Sequence, residues 1–331
     1  MKKVIWLLLC IFLSTAPRIM YAQSNYSLPQ QMIRLCNFSY ITDTTYGKRI
    51  VKDSVQKYLG MNVVWGPEEL VDDLGVSYSA IYVAYEPVSG AYTVVIRGTN
   101  YESLKSWVGE DFQVHKAVKF RRFVKAAPAD AKISKGTCTG MDDLMKLKQR
   151  NNDLVNFLKQ VVQAGSMKAF YVTGHSLGGT LTPPFYAYLC AEIFGGKPDP
   201  GIKSSPYSFA GLTAGDSIFN NYLQTFLQPA DINWRYVNPL DIAPNLWDGG
   251  NALATMYTPY NLTYGFPESD LLNYLLDRAS PNNYQQPPNS EYLLPAVFDS
   301  TNNTWIKQAE YQHHSTTYMA LIDGCCAKKL Q

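Results

Sequence analysis

The stretch that most constrains this chain is residues 168–181, Lys-Ala-Phe-Tyr-Val-Thr-Gly-His-Ser-Leu-Gly-Gly-Thr-Leu. Residues 168–173 carry the β-formers Phe170, Tyr171, Val172 and Thr173, whereas an apolar run from Leu177 through Ala187, Leu189, Ala191 and Ile193 has the length of a helix. Between them, Gly174-His175-Ser176-Leu177-Gly178 matches the G-x-S-x-G pattern of a serine held on a sharp strand-to-helix turn. Such a turn strains the serine's backbone, and side chains two residues to either side would collide with the neighbouring strand and helix, so glycine is what fits. The geometry lifts Ser176 Oγ above the sheet edge. It also points the Leu177 N–H, at a helix N-terminus, toward any negative charge that develops beside Oγ. A Gly-rich turn ahead of an ordinary core helix shares the bare pattern; the flanking strand and helix favour a nucleophile.

A serine hydroxyl is a poor nucleophile until a base takes its proton, and the base needs an acid to hold its tautomer and stabilise its charged form. Behind a turn of this kind the partners follow in chain order Ser, Asp or Glu, His. Of four histidines, His115 precedes the serine and His175 is its neighbour, with a ring expected to point away from Oγ. That leaves His313 and His314. For the acid, Asp241 lies in the turn Asn238-Pro239-Leu240-Asp241, four residues beyond a strand ending at Val237, where catalytic groups of open α/β sheets gather. Asp216 also follows a strand, but it opens a helix and has a capping role there. A second donor for the developing oxyanion is expected from Thr99, just beyond the β run Val94-Val95-Ile96-Arg97 and Gly98.

The rest of the chain reads as alternating helices and strands. Helices are expected over residues 28–40, 54–59 and 70–74, and a hairpin over 77–85 and 91–96, with its turn at 86–90. Apolar residues from Met141 to Val162 fall at helical spacing and predict one amphipathic helix. Strands at 207–210 and 234–237 flank a helix at 217–227, an alternation that argues for parallel pairing. Pro183 and Pro184 predict an early kink in the helix after Ser176. Residues 249–304, rich in Asn, Pro and Tyr, read as a long surface excursion, and a last helix is expected over 318–322 with Gly324 as its C-cap. Residues 115–135 carry Lys116, Lys119, Arg121, Arg122, Lys125, Lys132 and Lys135 against the single acid Asp130. That strip is either a solvated face or a surface drawn to anionic lipid.

Residues 1–22 have the basic, apolar and small-residue layout of a signal peptide, with cleavage expected after Ala22, and 23–331 form one expected domain. Removing Lys2, Lys3 and Arg18 from 29 basic residues leaves 26 against 27 acids, a net charge of −1 that does not favour nucleic acid. No later stretch has the length of a membrane-spanning helix, so the mature protein is expected to be secreted or periplasmic. The cysteine spacings match no zinc site, and neither a metal nor a cofactor is expected.

With these residues in place, the chain resembles the class 3 lipases, the family of the fungal triacylglycerol lipases and their bacterial and plant relatives. The resemblance rests on Val95-Ile96-Arg97-Gly98-Thr99, on Ser106-Trp107, on residues 172–179 around Ser176, on Asn238 to Pro244 around Asp241, and on His313 with Tyr318. It implies an α/β-hydrolase fold, a mostly parallel central sheet flanked by helices with Ser176 at a nucleophile elbow. It implies a serine ester hydrolase acting on acyl lipids at a transient lipid interface, with a phospholipase A1 or small-ester esterase as alternatives. A non-catalytic lipid-binding or partner-binding module on the same fold is the contrasting reading. The family pattern favours His313 over His314, because a tyrosine follows its histidine after four residues, as Tyr318 follows His313. It places a lid over residues 104–108, with Trp107 as the lid tryptophan. Similar bridges in fungal relatives imply a disulfide from Cys36 to Cys325 or Cys326, worth on the order of 5 kcal/mol in chain-entropy terms. Cys138 and Cys190 are expected to be unpaired.

Overall fold

The computed structural model describes residues 26–43, 46–73, 75–98, 113–227, 233–248, 253, 255–263, 265 and 268–327. The expected signal peptide, Thr99 and residues 104–108 lie outside them. In chain order the elements are α1 (Leu28–Ser39), α2 (Gly47–Leu59), β1 (Asn62–Val71), β2 (Ser77–Glu86), β3 (Ala91–Ile96), β4 (Ala117–Lys119), β5 (Lys132–Ser134) and α3 (Lys135–Lys146). There follow β6 (Lys148–Gln149), β7 (Asn152–Asp153), α4 (Leu154–Gln163), β8 (Ala169–His175), α5 (Leu177–Phe194), β9 (Lys203–Phe209) and α6 (Ser217–Gln224). The chain closes with β10 (Arg235–Val237), α7 (Glu268–Ala279), β11 (Glu291–Leu293), α8 (Trp305–His313) and α9 (Ser315–Ala327).

Strand alternation builds the layers. In β3, Val94 and Ile96 face one core with Phe170 and Val172 of β8, while Val95 and Tyr171 face the other. The first core is closed by α3, α4, α5 and the β4–β5 hairpin, and the second by α1, α2 and α9. The sheet between them runs β1-β2-β3-β8-β9-β10-β11. Its first three strands are antiparallel and the remaining pairings parallel. A third apolar cluster, including Leu212, Leu240, Ile242, Leu246 and Trp305, is built partly from the segments that follow β9 and β10. No helix of the described residues is long and apolar enough to cross a membrane.

Several sequence expectations are corrected. Residues 70–71 are not helical: Leu70 and Val71 end β1, paired with Ser79 and Ser77 of β2. Strand β1 escapes a pattern reading because Gly66-Pro67 interrupts it, with a register shift between Trp65 and Glu68, an irregularity that an edge strand tolerates. The single helix expected over 141–162 is two, α3 and α4, separated by the small β6–β7 hairpin. The hairpin turns at Arg150 and Asn151, both at positive φ, and Asp153 restarts the helix by accepting the Asn156 N–H at 2.7 Å. Helix α5 runs unbroken through Pro183 and Pro184 to Phe194. The Gly179 carbonyl, which loses its donor to Pro183, accepts instead from the Ser208 hydroxyl at 2.9 Å.

Residues 249–304 are more than a surface excursion. They supply β11, which pairs parallel with β10, and buried Leu253, Tyr257, Ala279 and Tyr284. The unexpected helix α8 precedes α9, and Gly324 lies inside α9 rather than capping it.

The Cys36 bridge is also absent. Cys36 is a free buried thiol, turned toward the sheet with Sγ 3.4 Å from Thr173 Oγ1, and burial pushes its pKa up to about 12. Beside the apolar core they share, α1 and α9 are tied by Arg34, which pairs with Asp323 at 2.7 Å, and by Gln30 Nε2, which donates to the same carboxylate at 2.9 Å. Cys138 is likewise a free buried thiol, and Cys190 is buried within α5.

Candidate active site

Strand β8 passes directly into α5 through Ser176, which adopts φ 61° and ψ −126°, a conformation that costs a non-glycine residue energy. The turn survives because its surroundings hold it. The Ser176 N–H donates to the Phe209 carbonyl at 3.0 Å, and the Thr180 N–H takes up the Ser176 carbonyl at 2.9 Å. A methyl at Gly174 would overlap the Gly178 carbonyl, and one at Gly178 would overlap the Ile96 carbonyl. Gly98 brings the end of β3 equally close, since a methyl there would meet the His175 carbonyl and the Tyr40 hydroxyl. Arg97 is structural, its guanidinium donating to the Ser77 carbonyl at 2.8 Å.

Beyond β10 the chain turns at Asn238. Its side-chain oxygen accepts the Leu240 N–H at 3.1 Å, the Asp241 N–H returns to the Asn238 carbonyl at 2.8 Å, and Tyr257 O–H donates to the Leu240 carbonyl at 2.6 Å. Asn238 Nδ2 also donates to the Gln312 carbonyl at 3.0 Å, which joins this turn to the last turn of α8. His313 is the final residue of that helix.

The result is a continuous chain of polar atoms. Ser176 Oγ lies 2.8 Å from His313 Nε2, and His313 Nδ1 lies 2.9 and 3.0 Å from the two oxygens of Asp241. Asp241 and His313 are fully buried, and Ser176 is 4% exposed. A carboxylate only accepts, so Nδ1 carries the proton and Nε2 presents its lone pair to the serine hydroxyl. Asp241 accepts two further hydrogen bonds, from Tyr318 O–H at 2.7 Å and the Ala243 N–H at 3.0 Å. These donors compensate the burial of its charge.

Of the residues singled out from sequence, Ser176, Asp241 and His313 are brought together. Leu177 opens α5, so its N–H belongs to the first helical turn and has no intrahelical carbonyl to bond. His314 is turned elsewhere, its Nδ1 2.7 Å from Thr316 Oγ1. Asp216 caps α6 by accepting the Phe219 N–H at 2.8 Å. No group of three His, Cys, Asp or Glu side chains among the described residues is gathered to hold a metal.

Sequence reasoning missed the second layer. His175 is fully buried, its Nε2 2.9 Å from the His313 carbonyl and its Nδ1 2.9 Å from the Tyr40 hydroxyl. Because a carbonyl only accepts, Nε2 carries the proton and Tyr40 O–H donates to Nδ1. Burial first, and the neighbouring His313 second, hold the pKa of His175 well below its ordinary value, so the ring is neutral. The one signal for Tyr318 was its spacing from His313; nothing local marked Tyr40.

Residues 93–248 match the family model described as lipase (class 3). Among solved structures, M37 lipase is similar at 26% identity over 90% of this chain and 95% of that one, with a TM-score of 0.76. A Rhizomucor miehei lipase in complex with its propeptide shares 20% identity over 66% of this chain and 64% of its own, with a TM-score of 0.46. A triacylglycerol lipase from Penicillium expansum shares 15% over 69% and 75%, also at 0.46. No curated protein matches the chain.

Proposed function

Residues 93–248 match the class 3 lipase family model, and we propose that the chain is an exported serine hydrolase of lipid acyl esters working through an acyl-enzyme on Ser176. The observation that carries the proposal is the 2.8 Å contact of Ser176 Oγ with His313 Nε2, backed by Asp241 on the far side of the imidazole.

In the first half-reaction, Ser176 Oγ attacks the ester carbonyl carbon as His313 Nε2 takes the hydroxyl proton. Asp241 stabilises the imidazolium and keeps Nδ1 protonated. The tetrahedral oxyanion is held by the Leu177 N–H, with Thr99 assigned from sequence as the second donor. When the intermediate collapses, the C–O bond to the alcohol breaks and His313 returns the proton to the leaving oxygen. In the second half, His313 deprotonates a water that attacks the acyl carbonyl, and the carboxylic acid leaves as Ser176 regains its proton.

Export rests on the signal-peptide layout of residues 1–22. Glycerol esters, phospholipid esters and small esters all yield to this chemistry, and acyl-chain profiling on mixed lipids ranks them. The proposal is tested by a serine-directed fluorophosphonate. One adduct per chain, mapped to Ser176 and accompanied by loss of ester turnover, is expected. An adduct elsewhere, or full turnover after complete labelling, refutes the mechanism.

A further inference from the structure

The β4–β5 hairpin carries a charge arrangement that the hydrolytic site does not use. In its antiparallel ladder Lys119 stands directly opposite Lys132. Both are exposed, and neither has an ion pair among the described residues. Like charges at directly opposed positions destabilise a two-stranded ribbon. Lys116, Arg121, Arg122 and Lys125 are exposed along the same excursion, and among the described residues only Arg122 meets a carboxylate, Asp142, at 2.9 Å. The whole chain carries a net charge of +2, yet residues 115–135 hold seven cations and one acid, so the remainder is net negative. The cations are mounted on a packed base, because Phe120 and Ile133 of the same excursion are fully buried.

The hairpin is fixed near the Ser176 end of the sheet. The Ser134 N–H donates to the Ala214 carbonyl at 3.1 Å, and the Asp216 N–H donates to the Lys132 carbonyl at 3.0 Å. Residues 210–216 lead away from the carboxyl end of β9, where the Phe209 carbonyl accepts the Ser176 N–H. On the other side, Tyr284 O–H donates to the Val114 carbonyl at 2.9 Å, and Val114 packs in the apolar cluster with Leu212, Leu240 and Ile242.

We propose that this cationic hairpin docks the protein on an anionic lipid surface, at the end of the sheet that carries Ser176. The inference rests on the reading of the chain as a lipid ester hydrolase. Lysines and arginines held near an anionic leaflet add attraction that decays within a Debye length, so a fixed cluster of six exposed cations is matched to such a surface and is sensitive to salt.

The test separates docking from chemistry by using the Ser176→Ala chain, which cannot consume lipid, in co-sedimentation with phosphatidylcholine vesicles with and without phosphatidylglycerol. Binding is expected only to the anionic vesicles and should fall as salt rises. Adding Lys119→Glu should weaken it roughly 25-fold, because two units of charge change at the surface. The same change should leave the melting temperature equal or higher, since it converts the Lys119–Lys132 repulsion into an attraction. Lys57→Glu on α2, against the opposite core, should have little effect. Equal binding to neutral vesicles, undiminished binding by Lys119→Glu, or an equal loss with Lys57→Glu would overturn the proposal, as would retention on duplex DNA without retention on vesicles. Turnover of a water-soluble short-chain ester by the unaltered protein tests the hydrolase reading separately, and Lys119→Glu should not change it.

Discussion

The imidazole of His175 donates from Nε2 to the main-chain carbonyl of His313 across 2.9 Å, so the residue before the serine holds the backbone of the histidine that faces it. Tyr40, just past α1, fixes the tautomer that makes this bond possible. His175 is therefore a positioning residue, and His175→Ala should lower kcat about 10-fold or more with little change in KM, because a small displacement of a general base is felt mainly in the chemical step. Tyr40→Phe should show the same pattern more weakly. A rise in KM at unchanged kcat contradicts this role.

The same residue predicts a pH effect on stability. Burial holds the folded pKa of His175 below its ordinary value near 6.5, so the unfolded chain binds the extra proton first as the solution is acidified. Its contribution is fully present above pH of about 6.5 and is lost as pH falls from there toward the lower folded value. Half-buried His314, its pKa lowered by burial and by His313, acts with the same sign. Chemical denaturation between pH 7 and 5 should show stability falling, and His175→Gln should flatten that slope; an unchanged slope contradicts the assignment.

Tyr318 donates to Asp241 at 2.7 Å from a fully buried position, and desolvation, with the Asp241 charge second, raises its pKa well above the ordinary value. It remains a donor throughout the working range. A hydrogen bond to a charged group is worth about 1.5–3 kcal/mol, so Tyr318→Phe should reduce kcat by roughly 10- to 100-fold if that bond is fully expressed in the transition state. Asp241→Asn should be worse, about 10⁴-fold, because the wrong tautomer then faces Ser176. Steady-state kinetics on the two variants give the order, and a reversed order contradicts the assigned roles.

Cys36 should resist alkylation in the native protein, since its thiol is buried and its pKa is raised to about 12. Peptide mapping after labelling in native and then denaturing conditions should find Cys36 modified only in the second step. Recovery of a Cys36-containing disulfide would contradict the structure.

What the sequence revealed follows from how local each constraint is. The elbow was legible because Gly174 and Gly178 answer a backbone requirement within five residues, and strand and helix patterns flank it. Asp241 was legible from position alone, four residues past Val237. His313 and His314 were not separable locally, since the choice depends on α8 ending where Asn238 meets Gln312, a contact 74 residues apart in the chain. Strand β1 was hidden by Gly66-Pro67, and the α3–α4 break by apolar spacing that continues across a turn made by Arg150 and Asn151. The Cys36 bridge implied by the resemblance failed because α1 presents that residue to Thr173 and presents Arg34 to Asp323.

The role of Ser176 as the nucleophile is read from the hydrolysis rate of a chromogenic acyl ester by Ser176→Ala beside the unaltered protein and His314→Ala. Loss of the hydroxyl should reduce kcat by about 10⁶-fold with the circular dichroism unchanged, while His314→Ala stays near normal. Substantial turnover by pure, folded Ser176→Ala would rule out Ser176 as the nucleophile.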